Sequence, residues 1–166
     1  MSDKVVNKKN VTFGEVFSFI LVFIFITVGL GFSFHSLMLK NQNFRMESNA
    51  LEVYPILENI NVKSDSLEIS ENLFDELKSV FPNILGIDAS HVKNGNEFSF
   101  DLFDGSEYKN ITSNDFEENS FAISDIKQNN AEFSFIYYGC LNGNIYAITV
   151  NNGAVGEFEL LHNKTK

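Results

Sequence analysis

Cysteine is almost absent from this 166-residue chain. With Cys140 alone, no disulfide can close within the chain and no multi-cysteine zinc site can be built. Tryptophan is missing, and the only prolines are Pro55 and Pro82. Basic residues are scarce: 12 Lys+Arg stand against 22 Asp+Glu, a net charge of −10. That balance argues against broad nucleic-acid or anionic-membrane binding, because phosphate recognition needs a basic surface. His35, His91 and His162 lie far apart without metal-ligand spacing, and no nucleophile elbow, phosphate loop or dinucleotide fingerprint occurs. No metal site and no enzyme site are expected. The 18 phenylalanines, alongside abundant Asn and Ile, fit a biased composition and carry little functional weight.

Charge is also missing locally. Residues 16–39 contain no Asp, Glu, Lys or Arg. This run supplies the ~20 apolar residues needed to cross a ~30 Å hydrocarbon slab as a helix. Lys4, Lys8 and Lys9 precede it, whereas residues 40–166 hold 9 basic and 20 acidic side chains. The positive-inside rule places the N-terminus in the cytoplasm and the rest outside. A cleaved signal peptide is the alternative. The run is longer than the usual apolar region of such peptides, and Phe34-His35-Ser36-Leu37-Met38-Leu39 stands where a small-residue cleavage site belongs. A retained anchor is the reading.

The expected organisation is a cytoplasmic tail over 1–14, a transmembrane helix over 15–39, a juxtamembrane connector or plug over 40–62, and an α+β extracytoplasmic domain over 63–166. In the connector, Leu37, Phe44, Leu51 and Tyr54 recur at helical spacing, and Pro55 disfavours helix at the residue before it. A helix is expected before Pro82, with Leu73, Phe74, Leu77, Val80 and Phe81 as its apolar stripe and Asp65 or Ser70 as its cap. From Ile84 the pattern turns strand-like. Asn94-Gly95, Asp104-Gly105, Asn142-Gly143 and Asn152-Gly153 are hairpin dipeptides, with alternating runs over 97–102 and 144–150 between them. The fold class is therefore a single transmembrane helix followed by a small α+β domain with an antiparallel sheet.

Glu15 is the residue that stands out chemically. Apolar residues flank it on both sides, so it is either an interfacial carboxylate or a charge inside the hydrocarbon. A central membrane charge costs about 2.5–3.5 kcal/mol on insertion scales and commonly faces a partner or carries an ion. Thr12-Phe13-Gly14-Glu15-Val16-Phe17-Ser18-Phe19-Ile20, followed by Phe-rich apolar sequence, resembles the transmembrane helix of flagellar stator B subunits, the MotB/PomB family. The general plan is similar to that of ExbD and TolR. The resemblance covers residues 11–30, with a fainter echo at Leu102-Phe103-Asp104-Gly105-Ser106-Glu107. Glu15 stands where the family has Asp, and Arg45, the only arginine, cannot supply the late arginine of the peptidoglycan-binding signature.

The resemblance implies an ion-driven motor subunit of a bacterial inner membrane with a periplasmic domain. It implies a homodimer inside a ring of a multi-pass membrane subunit, with a further envelope partner possible. Glu15 is implied to carry H+ or Na+ with Thr12 and Ser18 as neighbours, and no cofactor is required. By the same analogy, Phe44, Met46, Leu51 and Tyr54 form a plug. The runner-up is a pilin-like or other structural single-pass envelope protein, since a long N-terminal apolar helix followed by an antiparallel sheet is also the pilin architecture. Pilins carry Glu at the fifth mature position; processing at Gly14 puts Glu15 first and Phe19 fifth.

Overall fold

The computed structural model describes residues 13–62, 71–94, 97–129 and 132–163. The chain divides into two units, Met1–Asn41 and Gln42–Lys166. A single helix, α1, occupies Phe13–Val62. In the first unit its described side chains are exposed throughout, Phe, Ile, Leu and Val among them. At ~1.5 Å per residue the uncharged run measures about 36 Å, long enough to cross a bilayer core. Two of its hydroxyls turn inward on the helix itself. Thr27 Oγ1 donates to the carbonyls of Phe23 (2.5 Å) and Ile24 (3.1 Å), and Ser33 Oγ donates to that of Gly29 (2.9 Å). Such back-bonding leaves few polar groups needing a solvent partner.

In the second unit α1 runs through Pro55 rather than stopping before it. The reason lies in the buried stripe Met46, Ala50, Val53 and Leu57, whose 4-3-4 spacing keeps one helix face on the sheet from before the proline to after it. Proline inside a helix costs about 3 kcal/mol. Burying two side chains such as Val53 and Leu57 returns about 1.5–3 kcal/mol each, so burial wins. The expected stripe of Leu37, Phe44, Leu51 and Tyr54 is displaced: Leu37 and Phe44 are exposed, and Leu51 and Tyr54 flank the core.

The second helix, α2, spans Glu71–Val80. Leu73, Phe74 and Leu77 are buried, while Val80 is 52% exposed and leaves the expected stripe. Asp65 and Ser70, the expected caps, lie outside the described residues. At the other end Phe81 N donates to Leu77 O (2.7 Å), satisfying a last-turn carbonyl as Pro82 ends the helix, and Lys78 Nζ reaches forward to Ile84 O of the next strand (2.7 Å).

Seven strands follow: β1 (Ile84–Asn94), β2 (Glu97–Phe103), β3 (Tyr108–Thr112), β4 (Phe121–Asn129), β5 (Glu132–Leu141), β6 (Asn144–Asn151) and β7 (Ala154–Asn163). They form one sheet in the order β3-β2-β1-β4-β5-β6-β7. Two antiparallel meanders meet where β1 lies parallel to β4, at Ile84↔Phe121 and Gly86↔Ala122. Two of the expected turn dipeptides take the left-handed conformations that tight hairpins require. Asn142 and Gly143 have φ of 52° and 70°, and Asn152 and Gly153 have 50° and 72°. Gly95 of the first dipeptide is outside the described residues, although Asn94 pairs with Glu97 across it.

The sheet has a core on each face. One lies beneath Met46, Val53 and Leu57 of α1 and Leu73 and Leu77 of α2, and includes Phe121, Phe133, Phe135 and Tyr137. The other gathers Phe98, Phe100, Leu102, Phe116, Tyr138 and Cys140. β5 alternates between them, which explains why its sequence is apolar on both faces. Phe98 of β2 stacks on His162 of β7 with centroids 5.1 Å apart, although these strands are not neighbours, so the sheet curls on itself. Register shifts at Asp88 in β1 (φ 53°) and Asp125 in β4 (φ 48°) supply the bend.

Candidate functional site

Two places gather the polar groups to which chemistry can be attached. The first is the start of α1. Gly14 and the backbone of Glu15 lie in its first turn, and Ser18 follows three residues after Glu15, so the two positions share a helix face. Ser18 is exposed. The Glu15 side chain and the whole of Thr12 lie outside the described residues, so the expected trio is represented here by Ser18 and the helical position of Glu15. Around it the surface is apolar: Phe13 and Phe17 stack at 6.5 Å, and Val16, Phe19 and Ile20 are exposed.

The four residues assigned to a plug have three different environments in the second unit. Met46 is 1% exposed and belongs to the core, Leu51 and Tyr54 pack on the core's margin, and Phe44 is 68% exposed. Tyr54 meets Phe133 edge-on at 5.7 Å, and its hydroxyl donates to Glu58 Oε1 (3.1 Å). Burial, then the Glu58 carboxylate, holds the Tyr54 hydroxyl above its ordinary pKa.

The second place is a cleft of about 420 Å3 where the curled strands approach one another, with Asp88, His91, Asp101, Tyr108, Asp125 and Tyr138 among its walls. Tyr108 Oη donates to Asp88 Oδ2 (2.6 Å) and Asn110 Nδ2 to Asp101 Oδ1 (2.7 Å). Lys127 Nζ lies 3.4 Å from Asp125 Oδ1. The bond to Asp88, followed by burial, raises the pKa of Tyr108. Burial is the main cause raising that of Tyr138; the Ser124 contact opposes it, while Asp125 and Glu159 add to it. Tyr108 is thus held protonated as the donor to Asp88, Tyr138 accepts from Ser124 Oγ (3.5 Å), and each carboxylate already accepts or faces a donor. Among the described residues no group of three His, Cys, Asp or Glu side chains is placed to hold a metal.

Sequence reasoning did not find this cleft. The signal was present in Gly86-Ile87-Asp88-Ala89 and Ile123-Ser124-Asp125-Ile126, where an aspartate interrupts an apolar strand. Each marks a bulge, and the parallel pairing of β1 with β4 places the two on adjacent strands. No family model matches this chain, and no curated protein or solved structure matches it either.

Proposed function

We propose that this chain is a membrane-anchored structural subunit of pilin-like plan, held by residues 16–39 and presenting an acidic α+β domain on the non-cytoplasmic side. One observation supports this above the others. The helix that carries the uncharged apolar run is the helix whose later residues, Met46, Ala50, Val53 and Leu57, form the core beneath an antiparallel sheet.

Glu15 takes the fifth position of such subunits only in a chain that begins at Val11. Cleavage after Asn10, next to Lys8 and Lys9, makes Val11 the first residue and Glu15 the fifth. Asn10 departs from the glycine of such processing sites. A new α-amine at Val11 supplies the kind of cation that a carboxylate in an apolar run needs as its partner, in its own chain or in a neighbour.

The second reading, an ion-driven motor subunit with Glu15 as proton or Na+ carrier in a dimer within a multi-pass ring, is favoured by the resemblance over residues 11–30. Purification from membranes followed by mass spectrometry separates the two. A chain beginning at Val11 supports the pilin-like subunit. An intact N-terminus with a co-purifying multi-pass protein refutes it in favour of the motor.

A further inference from the structure

We infer that Phe44 and Arg45 form an interfacial anchor that engages the phosphodiester groups of membrane phospholipids on the non-cytoplasmic side. This rests on the reading of residues 16–39 as a membrane anchor. Arg45 is the only arginine in the chain. It is exposed, and among the described residues no carboxylate pairs with it. Its neighbour Phe44 is 68% exposed, whereas Met46 immediately beyond is buried in the core. The pair sits on a domain in which acidic side chains outnumber basic ones.

Distance makes the membrane the occupant. Phe44 and Arg45 are five and six residues beyond Leu39, the end of the uncharged run. Even fully extended, that chain spans no more than about 22 Å, and as a helix only about 9 Å. Both residues therefore lie within reach of the headgroup layer whatever the domain's orientation. The guanidinium is a planar fork that matches phosphate oxygens bidentately, and its apolar stem lies along hydrocarbon while the charge stays with the headgroups. Zwitterionic lipids carry the same phosphodiester. Binding therefore needs no net negative surface, which the acidic domain would repel.

The absence of tryptophan makes the test direct. In the full-length chain, Phe44→Trp installs a single reporter at an exposed position. Reconstituted in phosphatidylcholine vesicles, it is expected to emit at blue-shifted wavelength and to be quenched by lipids brominated near the headgroup end of the acyl chain. Adding Arg45→Glu abolishes the quenching, and adding Arg45→Lys retains part of it. In maltoside micelles, which lack phosphate, the Arg45 substitutions make no difference, and inorganic phosphate changes nothing. Water-exposed emission in vesicles, or quenching indifferent to Arg45→Glu, overturns the proposal. So does an Arg45-dependent response to inorganic phosphate alone, which marks a free-anion site. Burial that rises with protein density rather than lipid assigns the surface to a second copy instead. A chain that fails to co-float with vesicles refutes the membrane anchor itself, a result distinct from co-flotation without quenching.

Discussion

Replacing Leu57 by alanine tests whether the end of α1 is part of the domain or a segment that can leave it. Leu57 is 1% exposed and packs in the core beneath the sheet with Met46, Ala50 and Val53. Leucine-to-alanine changes at such sites cost about 2–5 kcal/mol, from lost transfer energy and the cavity left behind. With a urea slope of about 1–3 kcal/mol per molar for a domain of this size, a loss of about 3 kcal/mol lowers the midpoint by about 1–3 M. Phe44→Ala is the internal control. At 68% exposure it removes little buried area and is expected to move stability by no more than about 0.5 kcal/mol. The assay is urea unfolding of the full chain in neutral detergent, followed by near-ultraviolet circular dichroism, to which the five tyrosines contribute. Equal midpoints for the two variants would falsify the assignment of this helical segment to the core. They would also favour a plug within residues 40–62 that leaves the sheet, because displacement would then expose nothing the fold needs.

Four further outcomes are expected. A Cβ at Gly139 meets the Met46 methyl and the Tyr137 ring, so Gly139→Ala should cost about 1–3 kcal/mol; Met46→Ala in the same chain should relieve part of it, measured as non-additivity in a double-mutant cycle. Asp104 is held well below the ordinary carboxylate range by Lys109 first, then by the Ser106 and Glu107 amides, with burial opposing. A depressed folded pKa stabilises above the unfolded value of 3.8 and is lost as pH falls below it. Thermal unfolding of the native chain should weaken through that window, and Asp104→Asn should flatten the dependence. Glu15→Gln should insert normally but fail to assemble or conduct, while Glu15→Asp keeps part of the output; full function of a well-expressed Glu15→Gln chain refutes a role for the carboxylate in either reading. An alkaline phosphatase fused after residue 166 should be active outside the cytoplasm, and the reverse topology would remove the orientation argued from Lys4, Lys8 and Lys9.

Local signals in this sequence were legible where a short-range rule governs. The uncharged run, the Leu73-Phe74-Leu77 stripe and the Asn-Gly pairs at 142 and 152 each depend on neighbours a few residues away, and each is where the pattern placed it. Within 40–62, the spacing of Phe44, Leu51 and Tyr54 and the rule at Pro55 pointed away from Met46-Ala50-Val53-Leu57, the stripe that is buried. Only the sheet above it, folded from residues many positions later, makes that stripe the buried one. The cleft was not legible because Asp88 and Asp125 meet only through the parallel pairing of β1 with β4. No local pattern encodes that pairing. The side-chain setting of Glu15, on which the functional choice turns, depends on whatever surrounds α1 in a membrane or an assembly.

The meeting of the two meanders has a consequence for how the domain reaches its native state. Within each meander every strand pairs with its sequence neighbour, so contacts close over short loops and form early. The seam between them must instead bring Ile84 to Phe121 across a 37-residue span, and it offers few paired positions in return. Gly86, on the seam strand β1, already lies so close to Leu102 and the Phe103 carbonyl of β2, in its own half, that no side chain fits there. Docking of two preformed halves is therefore expected to be the slow step. The same seam should open first under native conditions, so amides of β1 near Gly86 and of β4 near Ala122 should exchange as a pair, ahead of the interior hydrogen bonds of either half.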